Sequence, residues 1–118
     1  MSKTASAFYG IDVSKDSLSI AMWSDSPVVE DIPNTAKAIR SWLKRIAPSS
    51  SIGMESTNTY HVLVARLAHE AGHRIHVLQP RAVNNYAKSL QVRGKTDQMD
   101  AVVIARMVAK EGAELRVW

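Results

Sequence analysis

With 118 residues, 46% of them hydrophobic, the chain can bury the core of one domain and is too apolar to be a disordered tail. Apolar runs such as Ala101 to Ala105 fall far short of the roughly 20 residues that a membrane-spanning helix needs, and Met1-Ser2-Lys3-Thr4 leads into a strand pattern rather than a signal peptide, so a soluble, unexported, cytoplasmic protein without membrane partners is expected. The absence of cysteine excludes disulfides and thiolate metal sites and leaves oxygen and imidazole as metal ligands, while a formal charge of +4 favours an anionic partner.

In chain order, Ala7 to Val13 and Leu18 to Trp23 are apolar, β-rich runs joined by Ser14-Lys15-Asp16-Ser17, a connection of hairpin length. A shorter run, Val28 to Ile32, ends at Pro33-Asn34, so the chain opens with three antiparallel strands. Ile39, Trp42, Leu43 and Ile46 repeat at i, i+3, i+4, i+7, which predicts an amphipathic helix from Thr35 to Ala47, capped by Asn34 or Thr35 and stopped by Pro48. Ser51 to Ser56 reads as a strand, Leu63 to Ala71 as a helix closed by a left-handed Gly72, and Arg74 to Leu78 as the strand that completes a β-α-β crossover, with a stop at Pro80. Val83, Tyr86, Ala87 and Leu90 suggest a short helix, Gln91 to Thr96 a basic loop, and Asp97 to Glu111 a last helix ended by Gly112. Leu115 to Trp118 reads as the start of a further element. The order fits a ribonuclease H-like (RuvC-like) α/β layer structure, a mixed sheet with helices packed on it, in which the first strand lies beside the fourth.

That adjacency gives the acidic residues their meaning. Asp12 and Glu55 end apolar strand-like runs, and Asp97 and Asp100 stand three residues apart where a helix begins. Carboxylates gathered at one point are costly unless divalent cations offset them, and paired divalent cations do the chemistry of phosphoryl transfer on nucleic acid. With those four set aside, 15 basic residues face seven acidic ones, a surplus suited to a polyanion, and seven of the 15 follow Pro80. Lys15, Arg93 and Lys95 are candidate phosphate contacts, or else ordinary solvated charges. Each acid also has a plainer reading. Asp97 and Asp100 suit the first turn of a helix, and Asp12 suits an Asx-turn, whereas Glu55 has little packing reason to end an apolar strand.

Taken together, Gly10-Ile11-Asp12-Val13-Ser14-Lys15, Glu55-Ser56-Thr57 with Tyr60-His61, Ala71-Gly72-His73, Pro80-Arg81, and Lys95-Thr96-Asp97 with Asp100-Ala101 and Ala105-Arg106 resemble the N-terminal RuvC-like domain of the DEDD transposases, insertion-sequence recombinases related to the Piv invertase. The resemblance runs from about Tyr9 to Met107. It implies that Asp12, Glu55, Asp97 and Asp100 are catalytic and hold Mg²⁺, for which Mn²⁺ substitutes, in DNA strand cleavage and transfer. It also implies a cytoplasmic, DNA-associated prokaryotic protein that forms a homo-oligomer at full length, works with a structured guide RNA, and continues into a second domain carrying a nucleophilic serine that nothing here matches. On this reading residues 1–118 are one domain, the N-terminal part of a longer transposase. One departure is Asn58-Thr59, where the family often has glycine before the tyrosine.

Three competing readings are weaker. His69-Glu70-Ala71-Gly72-His73 matches the H-E-x-x-H pattern of zinc metallopeptidases, but Gly72 ends the helix that would have to hold both imidazoles on one face. An actin-like nucleotide binder would need a glycine-rich turn after the first strand, where Val13-Ser14-Lys15-Asp16-Ser17 has none. A stand-alone ribonuclease H-like nuclease or Holliday junction resolvase would use the same carboxylates.

Overall fold

A computed structural model of the chain describes residues 7–56, 58–90 and 97–118, with 97–99 in backbone alone. Five strands, β1 (Phe8–Val13), β2 (Ser17–Met22), β3 (Val28–Pro33), β4 (Ser51–Glu55) and β5 (Arg74–Leu78), form one sheet in the order β3-β2-β1-β4-β5. The first two pairings are antiparallel, as tight connections require, and β1-β4 and β4-β5 are parallel, as helical crossovers require. The expected neighbours β1 and β4 thus lie together at the centre.

Strand alternation divides the core into two layers. Tyr9, Ile11, Val13, Leu18, Ile20, Ile52, Met54 and Ile75 meet Ile39 and Trp42 of α1 (Ala36–Leu43) and Val64, Leu67 and Ala68 of α2 (Val62–Glu70). Tyr9 stands edge-on to Trp42 at a centroid distance of 5.4 Å. On the other face, Leu78 packs with Val83 and Ala87 of α3 (Pro80–Ser89) and with Val103, Ile104 and Val108 of α4 (Asp97–Glu111), and Ala21 packs with Ala101 and Ala105.

Helix ends show how local chemistry set the boundaries. Thr35 is the cap of α1, accepting the Ala38 N–H at 3.2 Å, and Asn34 is used elsewhere. The helix stops at Leu43 rather than running to Ala47, because the turn tightens: Arg45 N–H reaches back only to Trp42 O at 2.9 Å before the chain approaches Pro48. Pro80 opens α3 instead of only ending β5, a first-turn position where its missing N–H costs nothing. Gly72 closes α2 at φ 94°, as expected. The expected Gln91 to Thr96 loop lies outside the described residues. Leu115 to Trp118 forms no regular element; it anneals to β5, with Trp118 N–H donating to Ile75 O at 2.8 Å and His76 Nδ1 donating to Arg116 O at 2.9 Å.

Helix α4 crosses β1 so closely that a Cβ on Gly10 would overlap Ala105 N and Ala101 O, both backbone atoms. At Gly53 the neighbours of such a Cβ are the methyl groups of Val108 and Ile104. Backbone cannot swing aside as a side chain can, so Gly10→Ala is expected to destabilise the fold by about 3 kcal/mol. By contrast, Gly112→Ala, with open space around it and a φ outside the left-handed region, should be neutral or stabilise by up to about 1 kcal/mol. Urea unfolding of both variants checks the pair; a mild Gly10→Ala would show that α4 does not need its close seat.

Candidate metal centre

The β1–β4 ladder ends at Ile11 opposite Met54, both turned to the α1/α2 layer. One residue later on each strand come Asp12 and Glu55, side by side and facing α4. Asp100 arrives from the first turn of α4, brought down by the close contact of Ala101 and Ala105 with Gly10. One carboxylate oxygen from each of Asp12, Glu55 and Asp100 lies within 4.8 Å of the others, and all three side chains are partly buried.

Carboxylates this close repel by on the order of 3 kcal/mol per ionised pair at an effective dielectric constant of about 20. The donor set is all hard oxygen, which suits Mg²⁺, Mn²⁺ or Ca²⁺ better than zinc or copper. No other group of three or more potential ligands occurs among the described residues. The residues present therefore fit a divalent cation. Of the fourth expected acid, Asp97, the backbone opens α4 and the side chain lies outside the described residues, as do Arg93 and Lys95 entirely. Lys15 is exposed on the turn that follows Asp12.

The loop after Glu55 contains a left-handed Asn58, φ 53°, so the asparagine occupies at the departure from the family pattern a conformation that glycine takes freely. The zinc-peptidase pattern is dismantled by the fold. His69 lies near the exposed end of α2, edge-on to Trp118 at 5.8 Å, while His73 is buried beyond Gly72, where its Nδ1 accepts the Ser50 N–H at 3.0 Å. These imidazoles serve packing and the β4 entrance. Two contacts carried no recognised signal in the sequence: the Gly10 seat for α4, whose trace is the small pair Ala101 and Ala105 one helical turn apart, and the tie from Asn34 to Ser14 O and Tyr60 O.

Residues 9–117 match the model of the IS110-type DEDD transposase family, described as a transposase. The chain is similar to the pilin gene-inverting proteins of Moraxella bovis, 40% identical over 62 residues, and Moraxella lacunata, 39% identical over 62 residues; the match covers 52% of this chain and 19% of each relative, so it spans about a fifth of their length. Among solved structures it is similar to Thermus thermophilus RuvC in complex with a Holliday junction substrate, TM-score 0.64 at 14% identity over 97% of this chain and 100% of that one. A second Thermus thermophilus RuvC structure aligns with TM-score 0.64 at 13% identity, covering 95% and 99%. The fold is thus RuvC-like, in the ribonuclease H-like class.

Burial holds the His73 imidazole below its ordinary value, and its Nδ1 can accept the Ser50 N–H only when unprotonated. The folded state therefore binds fewer protons than the unfolded one, and stability should fall as pH drops below about 6.5 towards the folded value. His61, also lowered by burial, adds to the same window. His73→Asn keeps an acceptor for Ser50 and removes the titration, so its stability between pH 7.5 and 5.5 should decline less than that of the parent; equal declines would show that His73 is not the acid-sensitive group.

Proposed function

The chain belongs to the IS110-type DEDD transposase family, and on that premise we propose that it is the metal-dependent catalytic domain of a DNA transposase or site-specific recombinase, the N-terminal part of a longer protein. The observation that supports this most is the convergence of Asp12, Glu55 and Asp100 from three separate segments onto one point. Capping preferences account for single acids, but not for three that meet.

In this reading Asp12 from the central strand, Glu55 and Asp100 would hold the ions, and Asp97, at the start of α4, would complete the set. The ions are Mg²⁺, with Mn²⁺ able to substitute. When bound there, they supply Lewis acidity that activates the oxygen attacking a DNA phosphodiester and stabilises the one that leaves. The protein's own residues do the rest. The rigid β1–β4 pair fixes two carboxylates in register, α4 presents the third, and Lys15 stands three residues after Asp12 to hold a neighbouring phosphate. Arg93 and Lys95 are candidate phosphate contacts from the sequence alone, and the basic surplus makes DNA binding fall steeply with salt. Homo-oligomerisation, a structured guide RNA and a serine nucleophile belong to the longer protein, so strand exchange is assigned to that assembly and metal binding to this chain.

The likeness to RuvC with its junction favours one second reading, that the domain cleaves branched DNA by itself. Incubation with a four-way junction and Mg²⁺ separates the two: cleavage lost in Glu55→Gln would support the nuclease, whereas salt-sensitive binding without cleavage supports a domain that works within the longer recombinase.

The metal reading itself makes a stability prediction. Asp12→Asn and Asp100→Asn remove mutual repulsion, so without metal each variant should melt at or above the parent temperature. With Mn²⁺ at 100 times its dissociation constant, the parent should gain about 2.7 kcal/mol and the variants little. Strong destabilisation of the metal-free variants would instead make these carboxylates structural hydrogen-bond hubs.

A further inference from the structure

Asn34 follows β3, on an edge strand, yet its carboxamide reaches the exits of both strands that carry the acids. Its Nδ2 donates to Ser14 O at 2.9 Å, two residues after Asp12, and to Tyr60 O at 3.1 Å, five residues after Glu55. Its backbone N–H donates to Asp16 O at 3.0 Å, fixing the same β1–β2 turn from a second side. Because both side-chain partners are carbonyl oxygens, the amide can only present its NH₂ to them; the orientation is set by the acceptors. Asn34 Oδ1 is buried and has no partner among the described residues, so the side chain is held here for its two donated bonds.

The position of this tie is what matters. Ladder pairing between β1 and β4 ends at Ile11 and Met54. Beyond it one strand turns into a hairpin and the other into the loop before α2, and Asp12 and Glu55 stand where they part. Below the acids the ladder holds the strands together. Above them Asn34 does, through one planar group with both bonds on one nitrogen.

We propose that Asn34 is a positioning residue that sets the spacing of Asp12 and Glu55 by bridging the two strand exits, and so tunes the affinity of the carboxylate centre for a divalent cation. This rests on the metal-binding reading above. It assigns to Asn34 no contact with cation or DNA; the effect is transmitted through the backbone of Ser14 and Tyr60, in the way that residues behind metal ligands commonly change affinity.

Mn²⁺ titration followed by electron paramagnetic resonance, on the 118-residue chain well below its melting temperature, tests the assignment. Asn34→Leu is uncharged, of similar size and without donors, and should weaken Mn²⁺ binding by roughly tenfold. Asn34→Gln retains the NH₂ and should recover part of the loss. Thr35→Ala is the control for general loosening: it removes the adjacent α1 cap, should lower the melting temperature, and should leave Mn²⁺ affinity within twofold. Unchanged affinity in Asn34→Leu, or equal losses in Asn34→Leu and Thr35→Ala, would overturn the positioning role while leaving the centre intact. Asp12→Asn keeps the two failures apart, because Mn²⁺ binding that survives it removes the centre itself, and the role of Asn34 with it.

Discussion

The centre depends on one close approach, that of α4 to the middle of β1. Two of its carboxylates come from neighbouring strands and would stand together in any sheet with this order. The third is on a helix, and a helix normally stands off from a sheet because side chains separate them. At Gly10 that separation is removed, and the helix backbone at Ala101 and Ala105 occupies the space a side chain would fill. Asp100 stands one residue before Ala101, so the glycine that admits the helix also determines how near the third acid comes to the other two.

This closeness gathers the carboxylates. The same contact that buries Ala21, Ala101 and Ala105 also brings the Asp100 carboxylate to Asp12 and Glu55. Dispersion and burial hold the helix down along its length, through Ala101 and Ala105 beside the acid and through Val103, Ile104 and Val108 beyond it. A helix held by apolar contacts along its length presents Asp100 without needing the acids themselves for its seat. The opposite layer is independent of this arrangement. There Trp42, Tyr9 and the α2 residues form an apolar block, and no Asp, Glu, Lys or Arg is buried among the described residues.

Much of this was legible in the sequence, for identifiable reasons. The strands were readable because each alternates or runs apolar for five or six residues between polar connections, and β5 and α4 have the bounds their flanking Gly72, Pro80 and Gly112 suggested. Glu55 stood out because an ionisable group ending an apolar strand has little packing purpose, whereas Asp12 and Asp100 each suit a turn or a helix start and stood out only in combination with it. Where the reading and the structure part, the cause is hydrogen-bond geometry that no periodicity encodes. Whether Asn34 or Thr35 caps α1 depends on which side chain meets the Ala38 N–H, and the extent of α1 depends on a last turn tightened by a single bond from Arg45 to Trp42. The C-terminal residues, read as the start of a further element, lie along β5, where a buried histidine donates to one of their carbonyls.

The contacts of the two buried histidines show what they serve instead of the carboxylate group. His73 and His76 are buried at the β4–β5 side, each with one ring nitrogen committed to backbone: His73 Nδ1 as acceptor from Ser50 and His76 Nδ1 as donor to Arg116 O. The two imidazoles thus hold opposite tautomers, each fixed by the partner it meets. An imidazole that serves as acceptor to a backbone N–H through one nitrogen has only the other left for a metal, and His73 lies at the start of β5, the opposite end of the sheet from Asp12 and Glu55. His73 is thus a strand's length from the carboxylates, and His76, opposite Gly53, has its Nδ1 turned to Arg116 O. The all-oxygen donor set at the C-terminal ends of β1 and β4 suits hard divalent cations.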